Sequence, residues 1–225
     1  MLNEEIRQII LNSKEDGWIM EPEAKRLLSL IGIAIPRFKW VNGIDDAVRF
    51  ARGIGYPVVA KVVSAKVIHK SDVGGVVVGI NSDEKLRESF SLFTRFDGFA
   101  GMLVEEMVSG IELIIGAKGD YQFGPVILLG IGGIWAEIYR DSTLRMAPFN
   151  EKDVLSMVRS LKAHVLLEGY RGSKPINMQE LCRMMIAFSD FVMEFEGFIE
   201  SIDLNPVICD SSRCVVADAR IMLNL

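Results

Sequence analysis

Apolar residues near the start of the chain follow helical spacing. The segment Glu4–Asn12 is amphipathic, and Pro22 stands where the first turn of a helix favours proline. The apolar positions after this proline recur at i, i+3, i+4 and i+7, and they are Ala24, Leu27, Leu28 and Ile31. This spacing predicts a helix that ends before Gly32.

Strand-like and helical runs then alternate. A strand predicted at residues 37–41 is followed by a helix that begins at Asp45 and by a strand at 57–63. A second β-rich run at 76–80 follows a polar loop and is expected to form a hairpin with the strand at 57–63, and Ser82 is placed to cap the next helix. The order of elements is therefore α, β, α, β, β, α.

The pattern changes after a strand predicted at 101–108, which carries the acidic pair Glu105-Glu106. Three stretches then alternate apolar and polar residues with glycines between them, and they are IELIIGAKG, PVILLGIGG and IWAEIYRDSTLRMAPF. Such alternation is typical of antiparallel strands. The second part of the chain is therefore expected to hold an antiparallel sheet.

Two helices and a hairpin are predicted to close the chain. Asn150 caps the first helix, and Asn177 opens the second with Glu180 in the capping-box position. The phenylalanines of this second helix are interpreted as core. The hairpin pairs residues 198–208 with residues 214–222.

Composition excludes several classes of protein. Half of the 225 residues are apolar, so the chain can bury a sizeable core, and its net charge of −5 provides no basic field for nucleic acid or membrane. The longest apolar run, residues 125–136, is shorter than the ~20 residues of a membrane span. Cys182, Cys209 and Cys214 lack metal-ligand spacing and indicate reduced thiols in the cytoplasm, although Cys209 and Cys214 bracket a turn and could face each other.

The loop between the two central strands carries groups that suit phosphate chemistry. Lys61 lies on the strand before it, and Gly74 and Gly75 at its exit let backbone N–H groups approach an anion closely. A structural interpretation stays open for each residue. The glycines suit an ordinary hairpin turn, and the lysine could extend along the sheet edge with its ammonium in solvent.

His69 lies in the middle of this loop, between Lys66 and Lys70 and just before Ser71 and Asp72. The lysines offer cations to a phosphate, and the carboxylate could orient the imidazole ring. A catalytic histidine and a solvated surface histidine are both compatible with this setting. Metal ligation is disfavoured because no second histidine or cysteine lies at ligand spacing. His164, the other histidine, is interpreted as structural.

The closing hairpin brings oxygen ligands together. Asp203 and Asn205 lie two residues apart on one face of its first strand, and Asp218 comes alongside on the second. Such a set suits Mg²⁺, which keeps sites for water and nucleotide phosphates. The alternative is that Asp203 and Asn205 are polar residues near a turn and that Asp218 pairs with Arg220. We favour the metal, because unpaired carboxylates among apolar neighbours would be costly to bury.

Motifs along nearly the whole chain, from about Glu21 to Leu225, resemble those of the ATP-grasp beta subunits of ADP-forming acetyl-CoA synthetases. They are EAKRLLSLIGI, YPVVAKVVS, HKSDVGGV, LVEEMVSGIEL, GIGGI, RMAPF, GYRG, IDLNPV and VADARI. HKSDVGGV together with IDLNPV and VADARI is specific, whereas GIGGI alone is not. The beta chain of succinyl-CoA synthetase is a more distant resemblance, with a similar metal hairpin but no histidine in this loop.

The resemblance implies an α+β ATP-grasp fold in which two α/β lobes hold a nucleotide between them. The expected domains are an N-terminal helical segment at 1–20, a first lobe with the phosphate and histidine loop at 21–103, and a second lobe with the Mg²⁺ hairpin at 104–225. The implied ligands of ATP or ADP are Lys61 for the phosphates, Gly74 and Gly75 in a flexible phosphate loop, Glu105, Met107 and Val108 at an inter-lobe hinge against adenine, and Glu112 at the ribose. The implied metal ligands are Asn205 and Asp218, with Asp203 in support.

The resemblance further implies that His69 carries a phosphoryl group to ADP. The group would come from an alpha subunit that holds the CoA and acyl sites, in a hetero-oligomer such as α2β2. Arg140 and Arg145 match family positions without an assigned role. Two other functions stay open, which are an ATP-grasp carboxylate ligase that forms an acyl phosphate directly and a nucleotide-binding module without catalysis.

Overall fold

The computed structural model describes residues 4–133 and 140–224. In chain order their elements are α1 (Glu4–Asn12), β1 (Trp18–Ile19), α2 (Glu21–Leu30), β2 (Phe38–Val41), α3 (Ile44–Ile54), β3 (Val58–Ser64), β4 (Val76–Ile80), α4 (Asp83–Phe93), β5 (Phe99–Glu106), β6 (Ile111–Asp120), β7 (Gly124–Ile131), β8 (Ser142–Met146), α5 (Glu151–Ser160), α6 (His164–Leu167), α7 (Met178–Glu194), β9 (Ile199–Cys209), β10 (Cys214–Val216) and β11 (Ala219–Leu223). No helix within these ranges is long and apolar enough to cross a bilayer.

The chain divides into two compact units, and their bounds differ from the predicted domains. The smaller unit is Pro36–Val108, and the larger one combines Met1–Ile35 with Ser109–Leu225. The prediction placed residues 21–35 in the first lobe, whereas the structure places them in the larger unit. The reason is a long-range pairing, because β1 pairs antiparallel with β11 and α2 packs near that strand.

The smaller unit is an antiparallel sheet in the order β2-β5-β3-β4 with α3 and α4 packed on one face. Its core joins residues of both helices to alternate residues of the central strands, which are Val58, Ala60, Val62, Met102 and Val104. Because side chains alternate along a strand, Lys61 and Glu105 lie on the opposite face. The predicted pairing of the two runs around the loop is confirmed.

The helix termini of the smaller unit follow the predictions with one exception. Ser82 caps α4, as predicted, by accepting a hydrogen bond from the Lys85 amide. The helix expected to begin at Asp45 begins at Ile44, and its N-cap is Gly43 without a side-chain cap. Asp45 instead lies in the first turn, where a carboxylate is stabilised by the helix dipole.

The larger unit is built on an antiparallel sheet in the order β1-β11-β9-β6-β7-β8, with β10 paired to β9. Helices α1, α2, α5 and α7 contribute to its core. The apolar positions on the inner face of α7 and at its C-cap are all buried, namely Leu181, Met184, Phe188, Phe191 and Phe195, and they include the phenylalanines predicted as core. Asn150 and Asn177 cap α5 and α7 as predicted. Of the stretch predicted as a third strand, residues 134–139 lie outside the described residues.

The closing hairpin has an interruption that the periodicity did not predict. Its second strand is divided into β10 and β11, with Ala217 and Asp218 between them. The Ala217 N–H donates to the Pro206 carbonyl at 2.9 Å. Pro206 has no N–H, so it cannot donate the second hydrogen bond of the pair to the Ala217 carbonyl. The regular ladder therefore stops where Asp218 faces Asn205.

Candidate functional site

Lys61 and Glu105 form a buried ion pair on neighbouring strands of the smaller unit. Lys61 Nζ lies 2.9 Å from Glu105 Oε1, and the two side chains are 6% and 3% exposed. Strands β3 and β5 place both residues on the sheet face away from the helices. The burial rules out the interpretation of Lys61 as an edge lysine with its ammonium in solvent. The ion pair instead fixes the position of the ammonium relative to the sheet.

The end of β5 is attached to the start of β2. The Glu106 amide donates to the Arg37 carbonyl at 2.9 Å, and Arg37 Nε lies 2.5 Å from Glu106 Oε2. Met107 follows with its side chain 43% exposed, and Val108 is half-buried. The chain passes from one compact unit to the other directly after Val108. The residues predicted to contact adenine are thus the last residues of the smaller unit.

The two glycines after His69 are required for different reasons. Gly74 has φ +71°, a left-handed conformation that side chains disfavour, although nothing lies near its missing Cβ. A Cβ on Gly75 would lie 2.6 Å from Val62 Cγ1 and 3.0 Å from the Lys70 carbonyl oxygen. A side chain at Gly75 would therefore require the loop or β3 to shift.

The loop that carries His69 is anchored at both ends. At its start, Ser64 Oγ donates to the Asp97 carbonyl at 2.8 Å and accepts from the Lys66 amide at 3.1 Å. At its end, the Gly75 amide donates to the Lys70 carbonyl at 2.7 Å. His69 itself is exposed in the stretch between these anchors. The imidazole is therefore exposed on a loop whose two ends are held by hydrogen bonds.

The predicted ribose ligand, Glu112, lies next to a glycine pair that the sequence analysis left without a role. Glu112 is exposed near the start of β6, and its carbonyl accepts from the Gly132 amide at 2.7 Å. A Cβ on Gly132 would lie 3.0 Å from the Glu112 carbonyl carbon, and one on Gly133 would lie 3.2 Å from Glu112 Oε2. The GIGGI motif therefore lets the chain pack closely against Glu112.

The predicted metal ligands meet at the interruption of the closing hairpin. The main-chain N–H of Asn205 donates to the main-chain carbonyl of Asp218 at 3.2 Å. Asn205 on β9 therefore faces Asp218 in the segment between β10 and β11. Asp203 Oδ2 lies 3.2 Å from an Arg220 guanidinium nitrogen. Asp203 thus has a cation beside it, which fits a supporting role better than a ligand role.

One argument made for the metal from the sequence was wrong. Asn205 is exposed and Asp203 and Asp218 are half-buried, so these groups are not buried among apolar side chains. No cluster of three or more histidine, cysteine or acidic residues with metal-binding geometry exists in the described ranges. The donor set still fits Mg²⁺, because one amide and one carboxylate oxygen on facing segments leave positions for water and phosphate oxygens.

Arg145 has a structural explanation. Its Nη1 lies 2.7 Å from Asp153 Oδ1 and its Nη2 donates to Ser156 Oγ at 3.2 Å. The other carboxylate oxygen of Asp153 accepts from the Asn150 amide in the capping box of α5. Arg145 therefore joins β8 to the first turn of this helix. Nothing in the structure explains Arg140.

An open cavity of about 800 Å³ lies in the larger unit, along strands β6, β7 and β8. Its lining includes Gly116, which is the register partner of Asp203, together with Leu128 and Leu144. The cavity is therefore adjacent to the strand that carries the predicted metal ligands.

The chain matches the ATP-grasp domain family over residues 11–223. It is 38% identical to the beta subunit of ADP-forming acetate–CoA ligase I of Pyrococcus furiosus, over 96% of this chain and 97% of that one. It is 37% identical to the ADP-forming 4-hydroxybutyrate–CoA ligase of Nitrosopumilus maritimus, over 91% of this chain, but it spans only 31% of that protein.

A solved structure of dinucleotide-forming acetyl-coenzyme A synthetase 1 from Ca. Korarchaeum cryptofilum has the same fold. It superimposes with a TM-score of 0.85 at 38% identity, over 97% of this chain and 100% of that one. That structure contains coenzyme A and Mg-AMPPCP, with a phosphohistidine segment pointing towards the nucleotide binding site. The predicted α+β ATP-grasp fold is confirmed, and the chain belongs to the ATP-grasp family of ADP-forming acetate–CoA ligase beta subunits.

Proposed function

We propose that this chain is the nucleotide-binding beta subunit of an ADP-forming acyl-CoA synthetase and that His69 carries phosphate to ADP. The overall reaction is acyl-CoA + ADP + phosphate giving acid + ATP + CoA. The observation that carries the proposal is the exposed His69 in a loop anchored at both ends, by Ser64 and by the Lys70–Gly75 hydrogen bond. The phosphohistidine segment of the Ca. Korarchaeum cryptofilum enzyme supports this assignment.

The chemistry requires a nucleophile that later becomes a leaving group. A neutral imidazole nitrogen of His69 attacks the phosphorus of a donor on the partner subunit, so that an N–P bond forms and the donor bond breaks. A terminal phosphate oxygen of ADP then attacks the same phosphorus, the N–P bond breaks, and the imidazole is restored. Exposure of His69 suits both steps, because the ring must meet two different reactants.

The nucleotide contacts are assigned to fixed groups. Lys61 would direct its ammonium to the phosphate oxygens from the position that Glu105 holds. Met107 and Val108 would contact adenine with side chains and main-chain groups. Glu112 would bind the ribose hydroxyls with the carboxylate that lies beside Gly133.

The metal assignment uses the facing pair in the closing hairpin. Asn205 and Asp218 would hold Mg²⁺, and Asp203, already beside Arg220, would support them. Bound Mg²⁺ neutralises charge on nucleotide phosphate oxygens. Because Asn205 and Asp218 would fix the position of the ion, they would also fix the position of the phosphate oxygens and so orient the nucleotide.

The remaining sites of the reaction are assigned to a partner. The match spans only 31% of the Nitrosopumilus maritimus relative, so most of that protein lies outside the part that this chain resembles, which supports CoA and acyl sites on a separate alpha subunit here. We include in the proposal a hetero-oligomer such as α2β2 and a cytoplasmic location, which the three free cysteines support.

The test uses both histidines of the chain. His69→Ala should abolish acid-labile, base-stable label from γ-labelled ATP with Mg²⁺, and it should abolish ATP synthesis with the partner present. His164→Ala is the matched control, because His164 Nδ1 contacts the Leu161 carbonyl at 2.9 Å in the larger unit, and it should keep the label. Normal labelling and turnover of His69→Ala would overturn the relay and favour a ligase that forms the acyl phosphate directly. Nucleotide binding without label in the wild type would favour a module without catalysis.

A further inference from the structure

The three cysteines of the chain lie close together in the larger unit. Cys209 on β9 is the register partner of Cys214 on β10, and the Cys214 thiol donates to the Asn177 carbonyl at 3.9 Å. Cys182 lies on helix α7, which packs against β10. All three are buried and free. The proposed ligase chemistry does not use this pair.

The backbone around the pair determines how closely the two sulfurs can approach. The Asp210 amide donates to the Arg213 carbonyl at 2.9 Å, which makes these residues a hydrogen-bonded pair at the end of the ladder. Cys209 and Cys214, one step along, are therefore a non-hydrogen-bonded pair, whose Cα atoms are typically ~4.5 Å apart. Disulfides span Cα distances of about 4.4–6.8 Å. A disulfide can thus close here without separating the strands, at the short end of the allowed range.

Access to the pair is available from the tip of the hairpin. Ser211, Ser212 and Arg213 in the turn are exposed. Strand β10 has only three residues and pairs with β9 alone among the described strands. A short strand at the end of a ladder opens locally at a lower free-energy cost than the centre of a sheet. A small reagent can therefore reach the thiols without global unfolding.

We propose that Cys209 and Cys214 form a dithiol site that small disulfides oxidise reversibly. The thiolate of one cysteine attacks the S–S bond of the reagent, which forms a mixed disulfide and releases one thiolate. The second cysteine then attacks the protein sulfur, the mixed bond breaks, and a second thiolate leaves. The two protons of the cysteine thiols pass to the two released thiolates. The protein is oxidised by two electrons, and the reagent is reduced to two thiols.

The location of the site links it to the predicted metal hairpin. Asn205 lies on the same strand as Cys209, and Asp218 is the second residue after the end of β10, the strand that carries Cys214. A bond between the cysteines would fix the register that sets Asn205 opposite Asp218. This consequence rests on backbone register, so it can be measured without nucleotide or partner.

The experiment treats the reduced full-length chain with excess 2-hydroxyethyl disulfide and maps the product by mass spectrometry. We expect a Cys209–Cys214 bond, one remaining thiol from the three cysteines after denaturation, and full reversal with dithiothreitol. Amide hydrogen exchange at Asn205 and Ala217 should slow several-fold in the oxidised protein. Persistence of all three thiols, a bond that includes Cys182, or mixed disulfides alone would overturn the proposal.

Variants separate the pair from the third cysteine. Cys182→Ala, the matched control, should still lose two thiols and form the same bond. Cys209→Ala and Cys214→Ala should form no intramolecular bond. Failure of His69 labelling would leave these results unchanged, so the dithiol site and the phosphohistidine can be tested separately.

Discussion

The ammonium of Lys61 and the carboxylate of Glu105 lie 2.9 Å apart and are both buried. The family resemblance implies separate roles for these residues, one at the phosphates and one at the adenine. The ion pair makes the two roles dependent, because any change at Glu105 removes a carboxylate that lies 2.9 Å from the Lys61 ammonium. A loss of nucleotide binding after mutation of Glu105 therefore cannot be assigned to adenine contact alone.

Replacement of one partner of this pair should destabilise the fold more than replacement of both. Breaking a buried ion pair typically costs about 3–5 kcal/mol, because it leaves an uncompensated charge, whereas exchange of both partners for apolar residues is often nearly neutral. We expect Lys61→Met and Glu105→Leu to lower the free energy of unfolding by about that amount each and the double variant by much less. Chemical denaturation of the four proteins measures this double-mutant cycle.

The exposed pair of Lys66 and Asp97 provides the control. Their charged atoms are also 2.9 Å apart, but the side chains are 64% and 78% exposed. Solvent screens such pairs, so Lys66→Met should change stability little. Additive losses in the Lys61 and Glu105 cycle would show that the buried pair is not energetically coupled.

The parts of the fold that local pattern could predict were the helices with clear caps and the hairpin around His69. The periodicity after Pro22 and the caps at Ser82, Asn150 and Asn177 act within one or two turns, so the sequence alone determines them. The assignment of residues 21–35 to the larger unit depends on the pairing of β1 with β11, two strands from opposite ends of the chain. No sequence pattern within a few residues of either strand predicts such a pairing.

The candidate site also combines features that local pattern predicts with contacts that depend on distant parts of the chain. The positions of Lys61 and Glu105 on their strands could be predicted, but their contact depends on the register between β3 and β5. The packing of Gly132 and Gly133 against Glu112 was missed because glycine pairs are common in turns. Only the close approach to Glu112 distinguishes this pair.

Gly75→Ala should impair the loop more than Gly74→Ala. The new Cβ at position 75 would lie 2.6 Å from Val62 Cγ1, so the loop or β3 must shift, whereas at position 74 the cost is the strained φ of about 1–2 kcal/mol. Thermal unfolding and labelling of His69 measure the two effects. Addition of Val62→Ala to Gly75→Ala should restore part of the stability, although the contact with the Lys70 carbonyl at 3.0 Å remains. Equal losses in the two single variants would contradict this explanation.

Tyr56 should titrate at a higher pH than a tyrosine ordinarily does. Burial and the hydrogen bond from its hydroxyl to Asp83, at 2.8 Å, raise the pKa of Tyr56 to about 12 from 10.0. Because the folded pKa is the higher one, the stability that the neutral phenol contributes is complete below pH 10 and is lost as the pH rises towards 12. Phenolate absorbance of the folded protein should show a late titration that Tyr56→Phe removes. Tyr121→Phe, at a residue 92% exposed, should leave the late titration in place.

Asp218→Asn should weaken the Mg²⁺ dependence of nucleotide binding while the fold stays intact. Asp218 is half-buried and faces Asn205, so the substitution removes charge from the proposed metal position without creating a cavity. Substitution of groups around metal ligands commonly costs about 10–100-fold in affinity or activity, and we expect a ligand to cost at least as much. Titration of Mg²⁺ against ADP binding measures the effect, and an unfolding measurement checks that the fold is intact.

Glu200→Gln is the control, because Glu200 is an exposed carboxylate on β9 itself and its loss should leave the Mg²⁺ titration unchanged. If Asp218→Asn binds Mg-ADP as the wild type does, the metal lies elsewhere, and Asp203 becomes the next residue to test.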